Sequence, residues 1–184
     1  IHRDHAKDFK VSINGSFGEV ARGYWWELIW PGVEKVGAFP FHKVAQGRYA
    51  AASSGQNVLK SSAQLPLATH FEALMRAQCE SLQGAPAATV MDNIYLRLRM
   101  QRWQGRIGSS TSQIWTALSP FGCREPLMAM LAAPPSQRIR SGMARDLIST
   151  LAPDLARIPL EQGSPAERFS LSNAHRFWPL AMHY

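Results

Sequence analysis

The sequence contains little cysteine and no long hydrophobic run. Its two cysteines, Cys79 and Cys123, lie far apart and form no CxxC pair, which favours reduced thiols buried as small apolar residues over a disulfide. No apolar stretch approaches the roughly 20 residues that a bilayer-spanning helix needs. The segment from Ile1 to Lys10 lacks the apolar core of a signal peptide. We therefore expect a soluble, cytoplasmic protein, and we expect further residues upstream of Ile1.

Concentrated charge is also missing. The chain carries a net charge of +7, but its basic residues are spread from Arg3 to Arg176, without the block of roughly five or six like charges that is typical of a nucleic-acid-binding tail. A nucleic-acid partner is therefore not favoured, while ATP or an anionic substrate fits the positive charge. With 184 residues, 46% of them hydrophobic, the range 1–184 is long enough for a single domain or a large piece of one.

A strand, a glycine turn and a helix are predicted near the start. Phe9–Ile13 is apolar and β-branched, and Asn14 with Gly15 ends it. Apolar spacing then predicts a helix over Glu19–Trp30, with Ser16 as its N-cap and Glu19 completing a capping box. Backbone N–H groups at such a turn can hold an anion.

The rest of the chain is predicted to be helical. Apolar residues recur with helical spacing, and glycine or proline separates the segments. This pattern predicts about five helices and one clear strand, and therefore a mainly α fold. The later helices are expected near Lys43–Ala52, over Ala68–Leu82, over Ala88–Arg106, after Pro126, and from Ile139 to Leu151.

Four stretches, read in order, resemble the synthetase domain of the asparagine synthetase family. They match its glycine-rich acid-ended loop, its basic helix, its "R-x-PF-x-D" turn into a helix, and its late helix followed by "LP" and an arginine. A glycine-rich turn alone is a weak signal, but order and spacing strengthen the resemblance. The stretches are Ile13–Glu19 with Arg22–Tyr24, Ile94–Gly105, Ser119–Phe121 with Leu127, and Arg138–Pro159.

The resemblance implies the helical C-terminal portion of an α/β, adenine-nucleotide-hydrolase-like domain with one or few short strands. That domain adenylates a carboxylate with ATP and Mg²⁺, and an amine then forms the amide. The expected partners are an upstream nucleotide-binding half and a small-molecule or peptide substrate. No metal ligand is assigned within this chain. Glu19 would be catalytic, and the residues lining the phosphate side would be Asn14, Gly15, Ser16, Gly18, Arg99 and Arg102.

Several family positions do not match. The phosphate loop of SGG-x-DS type is absent from these residues. Gly18 stands at the position of the magnesium-binding aspartate, Cys123 at that of the aspartate after PF, and no lysine follows Lys60. The sequence therefore predicts a diverged ligase part that is inactive as an isolated fragment. A non-catalytic binding or scaffold module and a basic helical nucleic-acid-binding domain stay open as alternatives.

Three further clusters have simpler explanations. Arg99, Arg102 and Arg106 would share one face of a regular helix, which favours a solvated surface over an anion site. His2 and His5 lack a third ligand, so a metal site is not favoured. The aromatic residues Tyr24, Trp25, Trp26 and Trp30 are expected to pack into the core.

Overall fold

Helices make up most of the architecture, which confirms the mainly α prediction. The computed structural model describes residues 9–49, 61–159 and 164–177. In chain order the elements are β1 (Val11–Ile13), α1 (Phe41–Arg48), α2 (Ser61–Gln78), α3 (Ala87–Ile94), a π-helical segment (Tyr95–Gln104), α4 (Gly105–Thr111), β2 (Thr116–Leu118), α5 (Arg124–Ala132), α6 (Pro135–Arg138), α7 (Gly142–Leu151) and α8 (Pro153–Ala156). Short 3₁₀ turns span Gly18–Arg22, Trp26–Leu28, Glu80–Leu82, Pro120–Gly122, Ile139–Ser141 and Leu171–Arg176.

The two strands form a parallel pair. Val11 lies opposite Thr116 and Ile13 opposite Leu118. The strand predicted at Phe9–Ile13 is confirmed in its second half, whereas β2 was not foreseen. Parallel strands need a long crossover connection, and helices α1 to α4 provide it.

The helix predicted over Glu19–Trp30 is wrong. Two short 3₁₀ turns replace it, separated by Gly23 and Trp25 in left-handed backbone conformations with φ of 60° and 76°. Neighbouring side chains on an α-helix point in directions well apart, yet Trp25 and Trp26 are both buried. The twisted backbone turns both indoles inward. Ser16 is therefore not a helix cap, and Trp30, expected in the core, is 56% exposed.

One hydrophobic core lies between the Trp25–Trp26 segment, α1, α2, α3 and the π-helical segment. Methionines contribute much of it, and their flexible thioethers fill irregular space between helices. The largest fully buried side chains include Val20, Val44, Met75, Met91, Ile94 and Met100.

The helix predicted over Ala88–Arg106 forms, but its middle is π-helical. The wider π turn advances each residue by a smaller angle than an α turn does. As a result Arg99 is half-buried and points into the aromatic core, whereas Arg102 and Arg106 are exposed. The prediction that these three arginines share one helix face is therefore wrong.

The other predicted helices correspond to α1, α2, α5 and α7, with shifted ends. The segment from Ile139 to Leu151 is interrupted by left-handed backbone at Arg140 and Ser141, so α7 begins only at Gly142. His2, His5 and Trp178 lie outside the described residues. Across the described ranges, no helix combines the length and the hydropathy that a transmembrane segment needs.

Candidate functional site

The loops that follow β1 and β2 are joined by hydrogen bonds. The Asn14 side-chain oxygen accepts one from the Ser16 backbone N–H at 3.0 Å and one from the Ser119 hydroxyl at 2.8 Å. The Asn14 backbone N–H donates to the Leu118 carbonyl, and that of Gly18 donates to the Gly15 carbonyl, both at 3.0 Å. Both loops leave the carboxyl ends of parallel strands, the sheet edge where α/β proteins bind ligands.

Each of these loops also packs an aromatic ring against a glycine of the other. A Cβ atom on Gly18 would lie 3.2 Å from the Phe121 ring, and a Cβ atom on Gly122 would lie 2.9 Å from the Phe17 ring. A side chain at position 122 would therefore force the Phe17 ring to shift, and one at position 18 would press against the Phe121 ring.

Glu19 is held beside the aromatic core. One of its carboxylate oxygens, Oε2, is buried and has no hydrogen-bond partner in the described structure. The carboxylate lies next to the Tyr95 hydroxyl, and burial together with the Glu19 charge raises the pKa of Tyr95 above its ordinary value. A buried oxygen without a partner can accept a hydrogen bond from a ligand or from water.

Arg99 lies in a cluster of aromatic rings centred on Trp25. Its guanidinium carbon is 5.6 Å from the Trp25 ring centre and 4.4 Å from that of Trp103, both within cation–π distance. Tyr95 packs edge-on against Trp25 at 5.2 Å between ring centres. The charges of Glu19 and Arg99 both act on the Tyr95 hydroxyl, and they shift its pKa in opposite directions. The structure brings these two predicted site residues into one neighbourhood.

Arg102 lies apart from that neighbourhood. It lines an open groove with Trp103, Arg106 and Ser109. The last lining residue of this groove, Gln113, precedes the first residue of β2 by three positions, so the groove extends toward the amino end of the strand pair. The predicted phosphate-side residues are therefore divided between two surfaces: Asn14, Gly15, Ser16 and Gly18 at the carboxyl edge, and Arg102 in the groove.

The described residues hold no cluster of metal-ligating side chains. No group of three histidine, cysteine, aspartate or glutamate side chains comes together within residues 9–49, 61–159 and 164–177. In nucleotide-using sites Mg²⁺ is typically held by one or two carboxylates together with waters and substrate phosphates. Glu19, which directly follows Gly18, could supply one such carboxylate, and the remaining oxygens would have to come from a nucleotide, from water or from other residues.

A buried ion pair, which the sequence analysis did not predict, is hydrogen-bonded to the first 3₁₀ turn. Two guanidinium nitrogens of Arg138 donate to the two carboxylate oxygens of Asp92 at 2.7 and 2.8 Å, and the third donates to the Val20 carbonyl at 2.8 Å. The Trp26 indole N–H also donates to Asp92, at 3.1 Å. Burial raises the pKa of Asp92, although Arg138 acts to lower it. The available signal was an aspartate inside the apolar run Ala87–Ile94, because buried acids are normally paired.

The two cysteines differ in environment. Both are free thiols, as expected. Cys79 is buried, and its burial raises the pKa of the thiol. Cys123 is exposed directly before α5, so the prediction that both thiols are buried is correct for Cys79 and wrong for Cys123.

We expect Tyr49 to titrate late. Burial raises the pKa of its hydroxyl to about 12 from 10.0, although the nearby Arg99 charge acts to lower it. Tyr49 ionises at a lower pH in the unfolded chain than in the folded protein. The contribution of its neutral hydroxyl to the free energy of unfolding is therefore complete below pH 10 and is lost as the pH rises toward 12. The difference between the ultraviolet tyrosinate titrations of the native protein and Tyr49→Phe should have its midpoint near 12. A midpoint near 10 would contradict this environment.

Comparison with known proteins identified no relative. No protein-family model, curated protein or solved structure matches the chain significantly. A function for this chain can therefore be inferred only from its sequence motifs and from the arrangement of the residues that carry them.

Proposed function

We propose that the chain is the C-terminal, helical part of a cytoplasmic ATP-dependent ligase of asparagine-synthetase type. In this reaction a carboxylate oxygen attacks the α-phosphorus of ATP, giving an acyl-adenylate and pyrophosphate. An amine then attacks the acyl carbon, AMP leaves with the bonding electrons, and the nitrogen loses a proton to give the amide. The substrate is a small molecule or a peptide.

The observation that carries the proposal is the meeting of two family-like loops. Asn14 and Ser119 are 105 positions apart in sequence, and their side chains are joined by a 2.8 Å hydrogen bond. Each loop directly follows one of two neighbouring parallel strands. In open α/β sheets the active site lies at this edge. This arrangement supports the proposal that the two motifs line one site.

The strand pair also supports an α/β partner half. Each strand has three residues, and a two-stranded sheet of that length is not stable alone. Parallel sheets are normally covered on both faces, yet Val11, Ile13 and Leu118 are 47%, 72% and 46% exposed. An upstream nucleotide-binding half that extends the sheet would cover them. That half would also hold ATP and Mg²⁺.

Within this arrangement Glu19 is the proposed catalytic carboxylate. Its unpaired Oε2 can accept a proton from the attacking amine, which is the role of a general base. Asn14 positions the first loop, and the turn at Gly15 would face the phosphates. Arg99 adds positive charge near Tyr95. Arg102 lines the open groove and not the joined loops. A contact between Arg102 and a phosphate therefore stays a prediction.

The test measures pyrophosphate released from Mg·ATP by the longest natural polypeptide that contains this sequence, supplied with mixed carboxylates and amines. Glu19→Gln is expected to reduce the rate by about 10²–10⁴-fold, the usual range for general acid–base groups. Glu80→Gln removes an exposed carboxylate far from the loops and should leave the rate unchanged. If a polypeptide that includes the upstream phosphate loop releases no pyrophosphate, the ligase proposal is rejected.

A non-catalytic binding module is the second candidate. It is favoured by the Phe121 ring packed on Gly18, at the position where the family carries a metal-binding acid. This candidate predicts ATP binding without pyrophosphate release in the same assay. A nucleic-acid-binding function would instead require oligonucleotide affinity that falls steeply with salt and depends on Arg102 and Arg106.

A further inference from the structure

A cavity opens between α5, α7 and the first 3₁₀ turn, directly beside the two joined loops. Gly18 from the loop after β1 and Phe121 from the loop after β2 both form part of its wall. Its volume is about 550 Å³, within the range of roughly 300–1,000 Å³ that is typical of small-molecule sites. The cavity therefore lies next to the edge at which the proposed reaction takes place.

The walls of the cavity are apolar and adaptable. Met130 and Met143 line it together with Ala21 and Ile148. Methionine thioethers adjust to ligands of different shape. Desolvating an apolar group of a ligand against such walls contributes about 25 cal/mol per Å² of buried surface. The cavity is suited to the apolar body of a ligand rather than to its phosphate or carboxylate.

The charge in the cavity lining determines whether a cationic or an anionic ligand is favoured. Of the described lining residues, Asp146 alone carries a charge. Its carboxylate contacts Arg168 at 3.3 Å, but both side chains are largely exposed, and exposed pairs of this kind are weak. A cationic ligand can therefore compete with Arg168, whereas an anionic ligand would meet the carboxylate of Asp146.

We infer that this cavity binds an amine with an apolar body, its ammonium group at Asp146 and its hydrocarbon part between Met130 and Met143. The identification of this amine as the acyl acceptor rests on the proposed function, in which the ammonium group must leave Asp146 and lose a proton to a base before its nitrogen can attack the acyl carbon. The binding itself depends only on the cavity and its acid. The substrate class thus becomes an alkyl- or arylamine rather than ammonia or a polar amino acid.

The experiment follows the binding of n-hexylamine to the chain by NMR of methyl-labelled methionines. Resonances of Met130 and Met143 should shift, while those of Met75 and Met91, which are buried in the core, report any general effect. n-Hexanoate has the same body with the opposite charge and should bind more weakly, by up to about fivefold, since an exposed charge contact is worth up to about 1 kcal/mol. Asp146→Asn should remove this preference.

Matched variants separate the cavity from the surface. Ala144→Phe and Ala129→Phe each place a ring in the cavity and should weaken hexylamine binding by about tenfold or more. Ala132→Phe adds the same ring on α5 at an exposed position outside the lining and should bind as the native chain does. Melting temperatures identify any variant that fails to fold.

Three results obtained with the chain itself would overturn the inference. These are equal affinity for hexylamine and hexanoate, shifts at Met75 and Met91 as large as those at Met130 and Met143, and loss of binding in Ala132→Phe as well. Exclusion of hexylamine by a side chain of the longer polypeptide would also overturn it. Hexylamine binding without pyrophosphate release would reject the ligase and leave the cavity assignment intact. Pyrophosphate release without hexylamine binding would reject the cavity assignment and leave the ligase intact.

Discussion

Replacing Arg138 with methionine is expected to lower the free energy of unfolding by about 3–5 kcal/mol, the usual cost of removing one partner of a buried ion pair. Arg138 is 2% exposed, and its guanidinium group satisfies both oxygens of Asp92 and the Val20 carbonyl. Methionine fills similar space but leaves the Asp92 carboxylate uncompensated in the core. Urea denaturation followed by tryptophan fluorescence measures the loss.

The double variant Asp92→Leu with Arg138→Met is the decisive control. It removes both charges, so it should unfold at a higher urea concentration than Arg138→Met alone, because apolar replacement of a buried pair is often close to neutral. Arg157→Met breaks an exposed pair with Asp154 and should change stability by less than about 0.5 kcal/mol. If the single and double variants are equally unstable, the charge pairing is not the cause.

Gly23→Ala is expected to destabilise the protein by roughly 2–5 kcal/mol, the sum of a left-handed backbone cost of about 1–2 kcal/mol and an overpacking cost of about 1–3 kcal/mol. Gly23 has a φ of +60°, and a Cβ atom there would lie 2.6 Å from the Trp26 ring. The ring cannot move freely, because the Trp26 indole N–H donates to Asp92. Thermal and urea unfolding both measure the loss.

Gly37→Ala provides a matched comparison. Gly37 also has a positive φ, of +77°, but nothing lies within 4 Å of the position of its Cβ atom. This variant should cost only the backbone contribution of about 1–2 kcal/mol. The difference between the two variants isolates the contact with Trp26. Equal losses would show that the indole is not tightly placed.

The two glycine positions and the ion pair have a common consequence for the candidate site. The segment Gly18–Arg22 is tied to the buried ion pair by the Arg138 bond to the Val20 carbonyl. The next residue, Gly23, lies against the Trp26 ring. The loop after β1 leads directly into this segment. Damage to the supporting network should therefore displace Glu19 even though none of the network residues contacts a ligand.

Helix content was predictable from local patterns alone. The apolar stripe predicted over Ala68–Leu82 includes Met75 and Cys79, both buried as their spacing implied. Pro86 precedes α3 as its N-cap residue, and Gly84 adopts the left-handed conformation that ends the preceding turn. Such signals act within a few residues, because helix hydrogen bonds join positions close in sequence.

The candidate site was only partly predictable. The glycine loop and the PF turn were recognised from their motifs, and both lie where parallel strands end. Their mutual contact was not predictable, since Asn14 meets Ser119 only after a crossover of about a hundred residues. The separation of Arg99 from Arg102 was missed because the helical pattern carries no clear signal for a π-helical segment.

The sequence by itself determined the mainly helical class, the positions of most helices and the first strand, because periodicity and glycine or proline breaks are local properties. Only the tertiary structure decided the path of residues 18–30, the pairing of β2 with β1 and the burial of Asp92 with Arg138. Each of these depends on contacts between distant residues: two adjacent indoles that share one core, two short strands that are stable only together, and two charges that can be buried only as a pair.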